Sequence, residues 1–138
     1  MHPGGPYWKC KNFWTISKGE MKSNEKIIDT ASREFKEETS FDAPTSIKFL
    51  GTYKVNNKKL VTMFYGLKDI DTNKCFSNTF QMEFPKHSNK FITVHEMDSY
   101  KWFNIKDAKK VIMKSQIYFF NKLEEKVKDS DTNDNTSC

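Results

Sequence analysis

Two rhythms of apolar and polar residues run along the chain and predict a helix followed by a hairpin. Apolar residues recur at helical spacing from Ile27 to Phe35, with Asn24 as the candidate N-cap and Pro44 beyond the helix end. β-Branched and aromatic residues dominate 47–55 and 60–67, and a turn-forming Asn-Asn pair separates these two runs. We therefore expect an amphipathic helix before Pro44 and a β-hairpin after it.

Shorter patterns predict the smaller elements. Residues 2–6 read HPGGP, which indicates a loop, and residues 13–16 favour a short strand. Within SNTFQMEFP, at 77–85, apolar and polar residues alternate, which predicts a short strand or a loop. A further strand is expected at 100–103.

The C-terminal part is predicted to be one helix followed by a tail. From about Lys106 to Val127, apolar residues recur at roughly helical spacing among lysines. Residues 128–138 are polar and lack core-forming side chains, a composition typical of disorder. The sequence thus predicts one folded domain over 1–127 and a disordered tail over 128–138.

The composition narrows the class of protein. Aromatic residues make up 14% of the chain, enough to build a core, and no apolar run approaches the roughly 18 residues of a membrane span. The three cysteines, Cys10, Cys75 and Cys138, are widely spaced and lack the rhythm of a metal site. We therefore expect a soluble protein of the reducing cytoplasm whose cysteines are structural or surface thiols.

The charge pattern argues against a nucleic-acid-binding surface. The net charge is +5, but the lysines are spread along the whole chain and form no clustered basic stripe. Arg33 is the single arginine among many lysines, which indicates that a planar guanidinium is needed there to orient neighbouring carboxylates. No DNA or membrane partner is expected. The sequence does not indicate whether the protein is a monomer or an oligomer.

The candidate chemistry concentrates between Gly19 and Phe41. On a helix, Glu34, Glu37 and Glu38 are related by steps of three and four residues, so their carboxylates crowd one face. Such a trio is tolerated if solvent screens it or if a cation neutralises it, and carboxylate oxygens suit Mg²⁺ or Mn²⁺. The spacing alone leaves both a solvated acidic face and a metal site open.

The same stretch resembles the Nudix box. That pattern is a Gly, five residues, a Glu, seven residues, Arg-Glu, an apolar residue, any residue, Glu-Glu, any residue, Gly and an apolar residue. The matching positions are Gly19, Glu25, Arg33, Glu34, Phe35, Glu37, Glu38 and Phe41. Ser40 stands where the pattern has its last glycine, at a cost of about 1 kcal/mol if its φ is positive.

Segments outside the box resemble a bacterial-type Nudix subgroup of predicted pyrophosphohydrolases. HPGGPYW, WTISKGE, SNTFQMEFP and VHEMDSYKWFNIKDA are similar to that subgroup's HPGGPFW, WTIPKGE, NTFEMEWP and FPEVDRAEWF. The resemblance implies an α/β fold, an α/β/α sandwich with a mixed central sheet. Because relatives of this type carry a further strand pair before HPGGP, it also implies a domain truncated at its N-terminus.

The resemblance further implies a metal-dependent hydrolase that cleaves a pyrophosphate bond in a nucleoside polyphosphate. Glu38 or Glu34 is expected to orient the attacking water as well as to bind the metal. The expected ligands of Mg²⁺ or Mn²⁺ are Glu34, Glu37, Glu38 and the Lys18 carbonyl.

Other residues receive supporting roles from the same resemblance. Gly19, Glu25 and Arg33 are expected to brace the motif loop against the helix. Glu96 and Glu83 are candidates for an additional ligand or a general base, with a surface carboxylate as the alternative for each.

Candidate substrate contacts follow from residue type. The Lys18 ammonium is suited to a substrate phosphate, and aromatic rings are suited to stack on a base, although each ring could equally belong to the core. The rings are Tyr7, Trp8, Trp14 and Phe80.

Three functions therefore remain open. The first is hydrolysis of a nucleoside polyphosphate, with diadenosine polyphosphates slightly ahead of nucleoside triphosphates because WTISKGE resembles the dinucleotide-cleaving groups. The second is a truncated, catalytically weak or inactive scaffold that acts at most as a nucleotide-binding module. An RNA-binding or cap-cleaving protein ranks last, since the chain lacks a basic stripe.

Overall fold

The computed structural model describes residues 1–136, which pack as two compact units. The first unit contains Met1–Ala43 and Lys68–Trp102, and the second contains Pro44–Leu67 and the chain from Phe103 onwards. All the candidate site residues fall in the first unit. Both units contain residues of the predicted domain over 1–127. That these residues form a single domain stays a prediction.

Three helices and six strands make up the described chain. The helices are α1 (Ile27–Thr39), α2 (Ile105–Val111) and α3 (Ile117–Thr136). The strands are β1 (His2–Pro3), β2 (Lys48–Asn56), β3 (Lys59–Tyr65), β4 (Thr79–Glu83), β5 (Phe91–His95) and β6 (Met97–Ser99). Two short 3₁₀ turns lie at Thr72–Lys74 and Lys114–Gln116.

Helix α1 confirms the predicted helix but not its predicted start. The residue before the helix is Lys26, with extended backbone, whereas Asn24 has a φ of 64°. An N-cap requires non-helical, typically extended, backbone at the helix boundary, so the assignment of Asn24 as N-cap is wrong. At the other end Ser40 has a φ of 70° and donates its N–H to the Lys36 carbonyl over 2.8 Å. Ser40 therefore adopts the left-handed conformation that glycine usually supplies.

The apolar stripe predicted on α1 is only partly buried. Ile27 is 50% exposed and Ile28 is 41% exposed, whereas Thr30, Glu38 and Thr39 are buried. The buried threonines satisfy their hydroxyls by hydrogen bonds, which makes their burial tolerable. The C-terminal end of α1 is therefore buried at Glu38 and Thr39, while the apolar residues at its start are exposed.

Two antiparallel strand pairs complete the first unit. Strand β1 pairs with β6, and β4 pairs with β5. Strand β4 confirms the strand interpretation of SNTFQMEFP. The loop predicted over 2–6 is wrong at His2 and Pro3, which form strand β1. Proline is tolerated in this edge strand because its missing N–H needs no partner. The strand predicted at 100–103 is also wrong, since pairing ends at Ser99 and Trp102 instead donates its indole N–H to the Ile70 carbonyl over 2.9 Å.

The strand predicted at 13–16 does not form. Trp14 is an isolated bridge residue. Thr15 exchanges two hydrogen bonds of 2.8 Å with Met1, donating its N–H to the Met1 carbonyl and accepting from the Met1 ammonium. These two backbone hydrogen bonds hold the segment in an extended conformation. A β-strand requires a longer series of such bonds with its neighbour.

The second unit consists of a hairpin and two helices. Strands β2 and β3 pair antiparallel and confirm the predicted hairpin. Its turn lies at Asn57–Lys58, one residue later than predicted, and the Asn56 side chain accepts the Lys58 N–H over 2.8 Å. Tyr53 of β2 stacks on Tyr118 of α3 with centroids 4.9 Å apart.

The single helix predicted over 106–127 is wrong, because it is broken after α2. Ile112 has an extended ψ of 151°, and the 3₁₀ turn then leads into α3. The β-branched pair Val111 and Ile112 lowers helix propensity at the break. Since no Gly or Pro interrupts α3, its backbone stays helical to Thr136, whereas a tail over 128–138 was predicted to be disordered. Residues 137–138 lie outside the described residues.

The helices and the small antiparallel sheets are compatible with the predicted α/β class. The part of the chain that the structure describes contains three separate two-stranded antiparallel sheets. A single mixed sheet between helical layers stays a prediction. None of the helices in the described range is long and apolar enough to cross a membrane.

Candidate active site

The single arginine bonds three glutamates of the motif. Arg33 donates from Nε to Glu25 Oε2 and from Nη1 to Glu34 Oε1, both over 2.8 Å. Nη1 also donates to Glu37 Oε2 at 3.2 Å. Nη2 donates to Glu25 Oε1 and to the Glu20 carbonyl, both at 3.0 Å. A planar fork with five donors can serve all these acceptors at once, which a lysine ammonium cannot do.

Glu25 ties the motif loop to the first turns of α1. Its Oε1 accepts the Thr30 hydroxyl at 2.7 Å and the Lys22 N–H at 3.0 Å. Hydrogen bonds from Arg33, followed by those from Lys22 and Thr30, lower the pKa of Glu25 to about 2. The same pairing raises the pKa of Arg33. Loop and helix are therefore joined by a pair that stays charged at any ordinary pH.

Gly19 lies directly against Glu34. A Cβ on residue 19 would overlap the Cγ, Cδ and Oε1 atoms of Glu34, whose side chain is only 15% exposed. A residue without a side chain lets the loop backbone approach the carboxylate this closely. The glycine thus sets the distance between the loop and the acidic face of α1.

Glu38 is the buried carboxylate of the site. It is 4% exposed, and its Oε2 accepts the Lys18 N–H at 3.3 Å. Burial, followed by the charges of Glu34 and Glu96, raises the pKa of Glu38 to about 7. The Ser17 hydroxyl and the Lys18 amide act in the opposite direction. Near neutral pH, Glu38 is therefore poised between its acid and carboxylate forms.

Glu96 joins this cluster from the segment between β5 and β6. Its N–H donates to the Asn78 carbonyl and its carbonyl accepts the Gly4 N–H, both at 2.9 Å. Burial, then the charges of Glu34 and Glu37, raises the pKa of Glu96. The structure thus brings Glu96 within electrostatic range of the α1 glutamates.

Glu83, the other candidate outside the motif, serves a turn. Its Oε1 accepts the His87 N–H at 2.5 Å in the loop that follows β4. The structure therefore favours Glu96 over Glu83 as a partner of the α1 glutamates.

Two of the rings predicted to stack on a base pack edge-on against other rings. Tyr7 meets Phe84 with centroids 5.6 Å apart, and Trp14 meets His2 at 5.4 Å. Tyr7 is 43% exposed and Phe80 is 39% exposed. Base stacking by Tyr7, Trp14 or Phe80 stays a prediction, as does a phosphate contact by Lys18.

Comparison with protein families decides the membership of the chain. The family model described as the NUDIX domain matches residues 4–123. The chain belongs to the Nudix family. Membership supports hydrolysis of a pyrophosphate bond at the level of the family. No curated protein matches the chain, and no solved structure matches it.

Nudix hydrolases generally use a divalent metal. The carboxylate groups of this site are of the chemical type that binds such a metal. Carboxylate oxygens are hard ligands of the type that Mg²⁺ prefers, and a cation would lower the pKa of Glu38, which burial raises first and the charges of Glu34 and Glu96 raise further. Among the described residues, no three His, Cys, Asp or Glu side chains form a group placed to hold a metal ion. Glu34 and Glu37 instead bond to Arg33, which supplies the neutralising charge.

Three further residues support this Nudix site and were not predicted from the sequence. The Tyr100 hydroxyl donates to the Glu38 carbonyl, and the Asn78 N–H donates to the Glu37 carbonyl at 2.8 Å. Burial is the first cause that raises the pKa of Tyr100 to about 12, so the phenol keeps its proton. The third residue is Gly4, where a Cβ would overlap the carbonyl oxygen of residue 95. Gly4 and Asn78 left a signal in the sequence, since they lie in the family-like segments HPGGP and SNTFQMEFP and match the residues found there.

Proposed function

We propose that this chain hydrolyses a pyrophosphate bond in a nucleoside polyphosphate with the help of Mg²⁺ or Mn²⁺. The observation that carries the proposal is the geometry of the motif: Gly19 lies against Glu34, Arg33 bonds Glu34 and Glu37, and Glu38 is 4% exposed. Because Arg33 pairs with Glu34 and Glu37, the charge that remains unfavourable is that of the buried Glu38, which a bound cation or a reaction would use. Family membership supplies the class of reaction.

The charge of the substrate explains why carboxylates and a cation would act together. A divalent cation, when bound, neutralises phosphate oxygens and so lets water approach phosphorus. Gly19 fixes the loop against Glu34, and Arg33 holds Glu34 and Glu37 on one side of α1. The proposed ligands are Glu34, Glu37, Glu38 and the Lys18 carbonyl.

Glu38 and Glu96 are the proposed acceptors for the proton of the attacking water. Burial is the first cause that raises both pKa values, to about 7 for Glu38. A carboxylate whose pKa lies near the working pH is a better proton acceptor than an ordinary one. As the water oxygen bonds to phosphorus, its proton passes to one of these two carboxylates. The bridging P–O bond breaks at the same time, and its electrons remain on the departing phosphate.

Diadenosine polyphosphates are proposed ahead of nucleoside triphosphates because of the WTISKGE segment. Lys18 would pair with a phosphate, and one or more of Tyr7, Trp14 and Phe80 would stack on a base. The exposure of Tyr7 and Phe80, at 43% and 39%, supports this role because a base can reach both rings.

Turnover by the purified chain tests the proposal. Diadenosine tetraphosphate and the four nucleoside triphosphates are each incubated with Mg²⁺, with Mn²⁺ or with a chelator, and the nucleotide products are separated by chromatography. We expect release of mononucleotides that requires the metal. A chain that melts cooperatively but turns over none of these substrates would show that the proposed activity is wrong.

A nucleotide-binding scaffold without activity is the second candidate. It is favoured by the ion pairs that Arg33 makes with Glu34 and Glu37, which neutralise these carboxylates without a metal. Calorimetry separates the two candidates, because the scaffold binds nucleotide without Mn²⁺ uptake or product release, whereas the enzyme shows both.

A further inference from the structure

The last turn of α1 has a partner for each of its final backbone carbonyls. An α-helix leaves its last four carbonyls without partners inside the helix. Backbone N–H groups reach three of these carbonyls, and a side chain reaches the fourth, that of Glu38. The backbone pairs are Ser40 with Lys36, Asn78 with Glu37, and Phe76 with Thr39, at 2.8, 2.8 and 3.3 Å.

The side chain that reaches the Glu38 carbonyl is Tyr100, which follows β6. Its hydroxyl donates to this oxygen across 62 residues of sequence. The bond therefore ties the segment after β6 to the residue whose carboxylate is 4% exposed. It does not touch the carboxylate itself.

Asn78 makes matching connections for Glu37 and Glu96. Its N–H donates to the Glu37 carbonyl at 2.8 Å, and its carbonyl accepts the Glu96 N–H at 2.9 Å. One residue thus fixes the backbones of Glu37 and Glu96 relative to each other. The Tyr100 bond adds Glu38 to this arrangement, so the backbones of Glu37, Glu38 and Glu96 are held by three tertiary hydrogen bonds.

We infer that Tyr100 is a positioning residue for the glutamates of the proposed active site. The inference rests on the proposed function. The hydroxyl fixes the backbone of Glu38 and so keeps its carboxylate in place relative to Glu37 and Glu96. Without it, the Glu38 carbonyl loses its partner and the last turn of α1 can shift. A displacement of about 1 Å is enough to lower a catalytic rate strongly.

Tyr100→Phe tests this role because it removes the hydroxyl alone. Trp102→Phe is the matched control, since it removes an indole N–H that donates to the Ile70 carbonyl in the same unit and leaves α1 untouched. Both variants are compared with wild type for Mn²⁺ affinity by electron paramagnetic resonance, for kcat and KM on diadenosine tetraphosphate, and for amide hydrogen exchange in the last turn of α1.

We expect Tyr100→Phe to weaken Mn²⁺ binding by roughly tenfold, to lower kcat more than it raises KM, and to speed exchange at Ser40 and Phe41. We expect Trp102→Phe to leave all three readouts at the wild-type values. Unchanged Mn²⁺ affinity and kcat in Tyr100→Phe would overturn the positioning role and leave the proposed function standing. Equal losses in both variants would overturn it too, because they indicate general destabilisation. A wild-type chain that neither binds Mn²⁺ nor releases product overturns the proposed function and this inference together.

Discussion

At the scale of single residues, the site depends on two positions that no other residue type serves. Gly19 leaves room for the Glu34 side chain, and Arg33 donates to several acceptors at once. Both stand out in the sequence, one as a glycine in a polar loop and the other as the single arginine. The structure adds the contact that each one makes.

Gly19→Ala should displace Glu34, because the new Cβ would overlap its carboxylate. We expect kcat for diadenosine tetraphosphate to fall by roughly a hundredfold, since the Glu34 carboxylate would leave its position beside the loop. Gly51→Ala is the control, because a Cβ there meets its nearest neighbour, the Tyr118 ring, at an ordinary 3.8 Å. A near wild-type kcat in Gly19→Ala would show that the close approach is not needed.

The Glu25–Arg33 pair predicts how stability changes in acid. Its hydrogen bonds hold the pKa of Glu25 at about 2, below the value of about 4.3 for a free glutamate. The stability from this pair is therefore present above about pH 4.3 and is lost as the pH falls towards 2. In Glu25→Gln, the free energy of unfolding should fall less than in wild type between about pH 5 and pH 2.

Urea unfolding at a series of pH values measures this difference. Glu125→Gln, which replaces an exposed carboxylate on α3, is the control, because a change as large as that in Glu25→Gln would mean that the loss of any carboxyl group causes the effect. Identical pH dependence in Glu25→Gln and wild type would mean that the pair contributes nothing in acid.

At the scale of elements, α1 is defined more by its ends than by its apolar stripe. Ile27 and Ile28 remain substantially exposed, while Glu38 and Thr39 in the C-terminal turn are buried and the carbonyls of this turn accept hydrogen bonds. Ser40 closes this turn with a φ of 70° where the family pattern has glycine. The helix therefore ends in a conformation that its sequence disfavours.

Ser40→Gly should stabilise the protein by up to about 1 kcal/mol, because glycine adopts positive φ without a steric penalty. Ser32→Gly, inside the same helix, should instead destabilise it by roughly 0.5 kcal/mol, since glycine is the poorer helix former. Free energies of unfolding from urea titration measure both changes. A Ser40→Gly variant less stable than wild type would contradict the role given to the positive φ.

Elements with strong local signals were predicted from the sequence, and elements that depend on a distant partner were not. Helix α1 and the β2–β3 hairpin carry their own periodicity and turn residues. Strand β1 exists only because β6 lies beside it, and residues 13–16 lack such a ladder. No Gly or Pro marks the break after Val111 in the sequence. The helical spacing of apolar residues therefore predicts one continuous helix where the structure has α2 and α3.

At the scale of the whole molecule, the site is assembled from segments far apart in sequence. The spacing of Glu34, Glu37 and Glu38 could be seen locally, whereas Glu96 was proposed only through family resemblance. Tyr100 was missed because its partner is a backbone carbonyl, which leaves no trace in the sequence. The family match spans residues 4–123 and so takes in segments of both compact units.

The most direct test of the account compares wild type with Glu38→Gln for release of mononucleotide from diadenosine tetraphosphate in Mg²⁺. Glutamine keeps the shape of this buried side chain but can neither carry the charge nor accept the proton. We predict metal-dependent turnover by wild type and a kcat lower by roughly a hundredfold or more in Glu38→Gln, with an unchanged melting temperature. Equal rates in the two proteins, or no turnover by the folded wild type, would contradict the account.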